Sequence, residues 1–528
     1  MTLIPQNFLK QVASSYGVSD IELEVLFKAL LEGESITTIA TELKLKPETV
    51  RKRLGETYRK FQISGKGPGK MAKLQQLLVA LYQEQSKSEE FSPQSAAPQT
   101  FDLMSHQDWN AAPDVETFYG RVEELSQLNQ WVLTDNCRLV ALLGMGGMGK
   151  TTLAVKFAKQ NVDKFDFVIW RSLAQAIPLG SLLTNFIEFL SPQPSENFEE
   201  VETGISKMME ILRNHRCLLI LDDMEMILSS QNLAGYYGDG FGDYGKFIQR
   251  IASESHQSCL VLVSSEKLKD LGRLEGQKVR SLQVVGSEEV CQKILEERGF
   301  VASQDWVSLI ERYSCNPLAV KIISAMVQEL YAGEVGDFIK NTLFMGDVRS
   351  LLDQPFQRLS VAEKEVMYWL AIEQQPIKLS QLQEKILLPL SASELLETVG
   401  SLGRRSLIEK SQKKGQVYFS LQPVVMKYVI EQFVFQVHEE LVGLIKNQDL
   451  EGVRLLKLYP LEISGNGKKH YSILSLVMNR LRSKLFTNTR GLNLAIKRLE
   501  ECLENLQEQF FEGEYMTQNL ENIINAIQ

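Results

Sequence analysis

The sequence predicts a multidomain protein in which a three-layer α/β domain, built on a parallel sheet, lies between helical regions. Two observations predict this fold class. From Val115 onward, helical patterns separate short apolar runs typical of buried strands, at residues 139–143, 167–170, 217–221 and 259–264. Toward both ends of the chain, apolar residues recur at helical spacing instead.

Composition and apolar patterns divide the 528 residues into segments. A stretch rich in Ser, Gln and Pro predicts a linker, and a strand pattern among helices predicts a winged helix. The expected segments are a helix-turn-helix-like helical domain (1–84), a flexible linker (85–113), the α/β domain (114–287), a helical domain (288–345), a winged-helix domain (346–430) and a helical C-terminal segment without repeats (431–528).

The composition is that of an ordinary soluble protein, with 44% hydrophobic residues, 23% charged residues and a net charge of −9. The sequence lacks an uncharged apolar run of about 18 residues, and its first residues lack the pattern of a secretion signal. The six cysteines show no paired spacing, which favours reduced thiols. These features predict a cytoplasmic protein with no membrane partner.

A glycine-rich segment, GMGGMGKT at residues 144–151, follows the first apolar run and precedes a helical pattern. Its glycines allow backbone N–H groups to surround phosphate oxygens, and the positive end of the next helix faces the same anion. In such a loop the lysine reaches the β- and γ-phosphates and the threonine hydroxyl ligates Mg²⁺, which predicts a P-loop NTPase fold. The predicted phosphate-binding residues are Gly144, Gly146, Gly147, Gly149, Lys150, Thr151 and Thr152.

Two carboxylates, Asp222 and Asp223, follow the apolar run at residues 217–221. The carboxyl end of a central parallel strand lies beside the bound phosphates in such folds. We expect Asp222 to hold Mg²⁺ together with Thr151, and Asp223 to polarise the water that attacks the γ-phosphate. The predicted cofactors are therefore ADP or ATP and Mg²⁺.

Three further motifs are FYGR at residues 118–121, FVIWRS at 167–172 and CNPL at 315–318. With the glycine-rich loop, they make residues 117–430 resemble the NB-ARC ATPases, and most closely their bacterial members. The resemblance implies that Arg121 lies near the adenine and that Pro317 packs on the nucleotide. It also implies a signalling switch, closed with ADP, that opens with ATP and assembles with itself or with a partner protein.

Two positions depart from the family pattern. The arginine that contacts the γ-phosphate in the family corresponds to Ser265 or Glu266, and neither is positively charged. The Met-His-Asp motif corresponds to residues 421–423, where Gln422 is expected to donate a hydrogen bond to the β-phosphate. Arg171 is either a substitute γ-phosphate sensor or a surface arginine. We therefore expect nucleotide binding, with ATP hydrolysis slow if it occurs.

The segment from Asp20 to Phe61 has the pattern of a helix-turn-helix, broadly similar to the LuxR-type group. Its last helix, opened by Pro47, is expected to bury Val50, Leu54, Tyr58 and Phe61. The remaining faces carry cations that suit the phosphates lining a DNA major groove, although a protein-docking domain or a solvated helix could carry the same charges. The candidate DNA contacts are Arg51, Lys52, Arg53, Arg59 and Lys60.

Three functions are compatible with these features. The first is a switch controlled by ADP and ATP. The second is a DNA-binding regulator whose assembly depends on the nucleotide. The third is a non-hydrolysing scaffold that retains ADP, which the missing sensor arginine favours.

Overall fold

The computed structural model describes residues 18, 20–30, 36–43, 45–61, 74, 106–110, 112–191, 200–301, 303–341, 346–386, 390–447, 450, 452–462, 472–484, 489–507 and 515–528. The chain forms two compact units, Met1–Asp102 and Leu103–Gln528. Each unit has its own hydrophobic core.

The first unit contains helices α1 (Asp20–Leu30), α2 (Ile36–Glu42) and α3 (Pro47–Lys60), which pack against one another. Their shared core includes Val25, Ile39, Ala40, Val50 and Leu54. On α3, Tyr58 is only half-buried, whereas Thr57 is fully buried and its hydroxyl donates to the Arg53 carbonyl oxygen at 2.9 Å. The helix-turn-helix identity of this unit stays a prediction.

The second unit is built on a parallel sheet. Its strands are β1 (His106–Asp108), β2 (Leu139–Leu143), β3 (Phe167–Ser172), β4 (Cys217–Asp222), β5 (Cys259–Ser264) and β6 (Val279–Gln283). They lie in the order β1-β3-β4-β5-β2-β6, and every neighbouring pair is parallel. The predicted parallel sheet is confirmed, and the four predicted apolar runs form β2 to β5.

Strand β1 lies inside the segment that the sequence predicts as a flexible linker, so that prediction is wrong for these three residues. The strand pairs with β3, and its Asp108 carboxylate forms an ion pair with Arg171 of that strand. Arg171 is buried and also donates to the Asn185 side chain and the Trp170 carbonyl oxygen. Both readings of Arg171 from the sequence are therefore wrong, because this arginine anchors an edge strand instead.

Helices cover both faces of the sheet, which confirms the layered α/β arrangement. Along β2, Val140 and Leu142 pack in one hydrophobic cluster, whereas Leu139, Ala141 and Leu143 pack in the other. This alternation follows from the two-residue period of a strand. Because both faces of the sheet are covered, a central strand needs apolar residues at every position. The flanking and following helices are α4 (Val122–Asn129), α5 (Lys150–Gln160), α6 (Leu179–Leu190), α7 (Val201–Asn214), α8 (Asp243–Ser253), α9 (Leu271–Leu274), α10 (Glu288–Glu297), α11 (Gln304–Arg312), α12 (Pro317–Tyr331), α13 (Val335–Asn341) and α14 (Gly346–Gln357).

A group of helices with an antiparallel hairpin follows. It comprises α15 (Val361–Glu373), α16 (Leu379–Lys385), α17 (Ala392–Arg404), β7 (Ile408–Lys413) and β8 (Gln416–Leu421). The hairpin turns at Lys414 and Gly415, which both have positive φ, as a two-residue turn between twisted strands requires. Ile377 forms a further β-bridge with Phe419. The order of these helices and strands along the chain is compatible with the expected winged helix, which stays a prediction.

The C-terminal segment is helical in its described residues, as the fold class predicts. Its helices are α18 (Pro423–Asn447), α19 (Leu455–Leu458), α20 (Ile473–Lys484), α21 (Thr489–Gln507) and α22 (Met516–Ile527). Helix α18 crosses the boundary that the sequence predicts between residues 430 and 431. Among the described helices, none combines the length and the apolar character that crossing a membrane requires. The six cysteines form no disulfide, and all except Cys315 are buried.

Candidate nucleotide-binding site

The glycine-rich loop connects β2 to α5 and begins at Gly144, whose φ is +150°. A Cβ at this position would lie 2.3 Å from the carbonyl oxygen of Val284, the residue that follows β6. Side chains are excluded both by the backbone conformation and by this close approach. The loop therefore leaves the sheet at a point where only glycine fits.

Asn316, the N-cap of α12, is hydrogen-bonded to the phosphate loop. Its amide nitrogen donates to the Gly146 carbonyl oxygen at 2.8 Å, and its amide oxygen accepts from the N–H groups of Leu318 and Ala319 at 3.1 Å each. A Cβ on Gly147, where φ is +81°, would lie 2.7 Å from that amide oxygen. Asn316 is 1% exposed. The sequence reasoning missed it, although an asparagine directly before a helix-opening proline is a recognisable N-cap signal.

Lys150 begins α5, directly after Gly149, and is buried. Its ammonium group donates to the Met145 carbonyl oxygen at 3.1 Å, so it lies over the loop. Burial lowers the pKa of Lys150, and the carboxylates of Glu225, Asp222 and Asp223 act in the opposite direction. The lysine is thus a desolvated cation within the field of three acidic groups.

Asp222 ends β4 and lies beside the loop. Its carboxylate accepts from the Thr151 hydroxyl at 3.2 Å and from the Asp223 N–H at 3.0 Å. Burial raises the pKa of Asp222 to about 7, and the neighbouring charge of Asp223 adds to this effect. Asp223 itself accepts from the Ser172 hydroxyl at 2.6 Å. The geometry therefore joins Thr151 to Asp222 and directs Asp223 toward the end of β3.

These residues fit a magnesium ion that is held mainly by a nucleotide. Mg²⁺ in nucleotide sites takes one or two protein ligands, with phosphate oxygens and water completing its octahedron. Thr151 and Asp222 supply one hydroxyl and one carboxylate at contact distance. In the part of the chain that the structure describes, no group of three or more His, Cys, Asp or Glu side chains could hold a metal alone. A bound cation would also offset the burial that raises the pKa of Asp222.

Arg121 is buried and braces the loop from its other side. Its guanidinium donates to the carbonyl oxygens of Met148 at 3.0 Å and Val285 at 2.6 Å, and it forms an ion pair with Glu124 at 2.6 Å. The contact therefore joins the FYGR motif, the phosphate loop and the end of β6.

A cavity of about 480 Å³ lies beside this arginine. Its lining includes Phe118, Arg121, Met148, Gly149, Thr152 and Pro317. Three separated sequence motifs, which supply Arg121, the phosphate loop and Pro317, thus meet around one space. Its size and mixed lining suit the nucleoside part of a nucleotide, next to the loop that would hold the phosphates.

Gln422 is not part of that lining. It lies beside a second cavity of about 790 Å³, together with Met145, Met148 and residues of the β7–β8 hairpin. Its amide oxygen is buried and has no hydrogen-bond partner among the described residues. The structure therefore places Gln422 in a cavity lined by Met145 and Met148 of the phosphate loop, and not among the residues that line the cavity of Arg121 and Pro317.

The two positions that replace the family's sensor arginine have different environments. The Ser265 N–H and hydroxyl donate to the Glu225 carboxylate at 3.1 and 2.8 Å. Glu266 is 2% exposed and forms an ion pair with Arg405 at 2.6 Å. Glu225, which the sequence reasoning missed, follows the Asp-Asp pair on a short 3₁₀ turn, and its spacing offered no signal.

The candidate DNA contacts belong to α3 of the first unit. Arg51, Lys52 and Arg59 are exposed, whereas Arg53 is half-buried. Lys60 forms an ion pair with Glu22 at 2.6 Å, so its charge is already partly neutralised by the protein. This helix thus presents three exposed cations.

Comparisons with known proteins give one family match and several similar proteins. Residues 121–231 match the model of the NB-ARC domain. An uncharacterised WD repeat-containing protein from Nostoc sp. is 44% identical over 369 residues, which are 66% of this chain and 29% of that protein. Disease resistance RPP8-like protein 3 of Arabidopsis thaliana is 32% identical over 106 residues, or 20% of this chain and 12% of that protein. The chain thus spans less than a third of the length of these relatives.

Two solved structures each match about 60% of this chain. A Walker-type ATPase of Pyrococcus abyssi has a TM-score of 0.42 at 15% identity, covering 61% of this chain and 99% of its own. The Aeropyrum pernix ORC2 protein has a TM-score of 0.37 at 15% identity, with coverage of 60% and 97%.

The family match includes Arg121, the complete phosphate loop and the Asp222–Asp223 pair. Arg121 and Asp222 both contact the phosphate loop in the structure; the loop follows β2 of the parallel sheet and Asp222 ends β4. The sequence match and the fold together support an NB-ARC-type P-loop ATPase domain in this chain.

Proposed function

We propose that the chain is a signalling switch that binds ADP or ATP with Mg²⁺. The observation that carries the proposal is the single cavity where Arg121, Gly149, Thr152 and Pro317 meet beside the phosphate loop. Thr151 contacts Asp222, and the Lys150 ammonium group lies over the loop, so these groups surround the place where the phosphates and the metal would lie. Pro317 opens α12 in a different part of the chain, so a nucleotide that contacts it would bridge two domains.

A ligand that bridges two domains biases their arrangement, because it binds one arrangement more tightly than another. Exchange of ADP for ATP would thus change the population of open and closed forms. The open form would then assemble with further copies or with a partner protein. The resemblance to NB-ARC proteins supports this sequence of events.

Replacement of Lys150 tests the site. We expect Lys150→Ala to weaken ADP binding by about 100-fold, because a desolvated charge-assisted hydrogen bond to phosphate is lost. Calorimetric titration of the full chain with ADP measures this change. Lys159→Ala is the matched control, since Lys159 lies on the same helix but is exposed and pairs with Asp114. Equal ADP affinity in the Lys150 and Lys159 variants would contradict the site assignment.

A second candidate function is a scaffold that holds ADP without turnover. The contacts of Ser265 and Glu266 favour it, because neither residue places a cation on a γ-phosphate. Steady-state ATP hydrolysis distinguishes the two functions. Turnover equal to that of Lys150→Ala would favour the scaffold, and turnover clearly above that of the variant would favour the cycling switch.

The exposed cations of α3 support a third candidate, a nucleotide-controlled DNA-binding regulator. Arg51, Lys52 and Arg59 would contact phosphates, so affinity for duplex DNA should fall steeply between low and physiological salt. Gel shifts with random duplex DNA at low and at physiological salt measure that dependence in the native chain and in Lys52→Ala. An absence of DNA binding at low salt would favour a protein-docking role for this unit.

A further inference from the structure

Different halves of the phosphate loop line two separate cavities. The cavity that suits the nucleoside is lined by Met148 and Gly149, from the second half of the loop, and by Thr152 of α5. A smaller cavity of about 210 Å³ is lined by Met145 and Gly146, from the first half. The backbone of such a loop surrounds the phosphate chain of a bound nucleotide. A nucleotide whose base occupies the larger cavity would therefore extend its phosphates toward the smaller one.

Glu225 lines this smaller cavity and acts on the charge of Lys150. Burial lowers the pKa of Lys150, and the Glu225 carboxylate opposes this effect more strongly than Asp222 or Asp223 does. In a phosphate loop, this lysine reaches the β- and γ-phosphates. The Glu225 carboxylate thus lies beside the place that a γ-phosphate would take.

Hydroxyl and backbone groups, rather than cations, contact the Glu225 carboxylate. It accepts from the Ser264 hydroxyl at 3.2 Å, from the Ser265 N–H at 3.1 Å and from the Ser265 hydroxyl at 2.8 Å. Among the described residues, Glu225 forms no ion pair. Ser265 is one of the two positions that correspond to the family's arginine, and an arginine there would place a cation beside this carboxylate. The serine leaves the negative charge in place.

The two arginines of the smaller cavity are engaged with other groups. Arg405 forms ion pairs with Glu266 at 2.6 Å and with Glu363 at 3.0 Å. Arg358 lies 3.5 Å from Glu266 and donates to the Leu228 carbonyl oxygen at 3.1 Å. The charges of both arginines are therefore balanced by these two carboxylates. A γ-phosphate in the cavity would bring further negative charge toward a carboxylate that no cation neutralises, and like charges at such short range repel strongly.

We propose that Glu225 makes the site selective for nucleoside diphosphates over nucleoside triphosphates, because its carboxylate repels a γ-phosphate. ADP ends at the β-phosphate, which Lys150 and the loop can hold without placing a charge in the smaller cavity. Selectivity then comes from an interaction that disfavours the competing ligand. The chain would thus retain ADP in a moderate excess of ATP. This inference rests on the proposed function, because it concerns the same site.

Calorimetric titration of the full chain with ADP and with a non-hydrolysable ATP analogue, both in Mg²⁺, tests the proposal. The native chain should bind ADP at least about tenfold more tightly than the analogue. Glu225→Gln keeps the size of the side chain and an oxygen that can accept from Ser265. It should strengthen binding of the analogue by about tenfold and change ADP affinity by less than about twofold. The matched control is Glu275→Gln, which removes an exposed carboxylate paired with Lys267 and should leave both affinities unchanged.

Ser265→Ala is a second variant that changes the same carboxylate without removing it. It deletes the hydroxyl that donates to Glu225 at 2.8 Å, whereas the backbone N–H can still donate. With one donor fewer to stabilise the negative charge, repulsion of the γ-phosphate should increase. We expect binding of the analogue to weaken by about threefold, with ADP affinity unchanged. Stronger binding of the analogue in Ser265→Ala would contradict the proposal.

Three results of the titrations would overturn the selectivity of Glu225. Equal or tighter binding of the analogue by the native chain would show that Arg358 and Arg405 dominate the cavity. An unchanged preference for ADP in Glu225→Gln would exclude its charge as the cause. Weaker binding of the analogue in that variant would mean that Glu225 assists the triphosphate. Absence of ADP binding by the native chain would instead contradict the proposed function, whereas ADP binding without a preference contradicts the inference alone.

Discussion

The phosphate loop and the residues after β5 both lie at the carboxyl ends of the parallel strands, yet different interactions hold them in place. Gly144 to Thr151 form a local motif whose glycines leave the backbone as the main binding surface. Ser265 and Glu266 instead contact side chains from distant parts of the chain, namely Glu225 and Arg405. Neighbouring strands of one sheet thus carry a ligand site formed by local sequence and a domain contact formed by tertiary structure.

A position in a fold therefore does not fix a chemical role. In the family pattern, the end of this strand supplies a cation to the nucleotide. Here Ser265 and Glu266 follow the strand, and the Glu266 carboxylate forms ion pairs with Arg405 and Arg358 of a neighbouring domain. Four variants test this contrast.

Gly144→Ala tests whether the loop depends on its backbone. We expect a loss of about 3 kcal/mol in the free energy of unfolding, because the new Cβ would approach the Val284 carbonyl oxygen at a positive φ. Gly149→Ala should lose only about 1 kcal/mol, since φ is positive but no atom lies within 4 Å of the position that the new methyl group would take. Urea unfolding measures both. Equal losses would show that the close contact at Gly144 is unimportant.

Asn316→Ala tests the hydrogen bonds that the Asn316 side chain makes to the phosphate loop and to the start of α12. The variant loses a helix cap and the hydrogen bond to the Gly146 carbonyl oxygen, which together contribute about 2 kcal/mol. We also expect about tenfold weaker ADP binding, because the loop is no longer held in its binding conformation. Ser287→Ala is the control: it removes the cap of α10 alone and should lose about 1 kcal/mol without weakening ADP binding. Unchanged ADP affinity in Asn316→Ala would exclude a role in the site.

Asp222→Asn tests the predicted magnesium site. In the native chain we expect Mg²⁺ to strengthen ADP binding by about tenfold, since the ion connects the phosphates to Thr151 and Asp222. The variant should lose this tenfold gain, so titrations with ADP in Mg²⁺ and in EDTA should give the same ADP affinity. Asp163→Asn, at an exposed ion pair with Lys164, should keep it. A magnesium effect that persists in Asp222→Asn would place the ion elsewhere.

Ser265→Arg introduces a positive charge at one of the two positions that correspond to the family's sensor arginine. We expect ATP turnover to change by less than about twofold, because the Glu225 carboxylate, which now accepts from Ser265, would pair with the new guanidinium. Turnover is measured against Lys150→Ala as the baseline. A rise of about tenfold would show that the missing cation alone limits hydrolysis.

The sequence was most informative where function depends on local backbone geometry. The spacing of Gly144, Lys150 and Asp222 predicted the loop and its acidic neighbour, and alternating apolar runs predicted the parallel sheet. It was least informative where a contact joins distant residues. Strand β1 was predicted as linker from the Ser, Gln and Pro content of its segment, which gives no sign of the contact between Asp108 and Arg171, 63 residues away. Asn316 and Glu225 were missed for the same reason, although the helix cap at Asn316 had a readable signal.

The parallel sheet and the glycine-rich loop can be read from the sequence, because short-range periodicity and backbone conformation dictate both. The surroundings of that loop depend on the tertiary structure. It brought Arg121 and Pro317 to one cavity and placed Gln422 beside another. It also paired Glu266 with Arg405, 139 residues away. Such pairings depend on how whole domains pack, and burial then makes each charge require its partner.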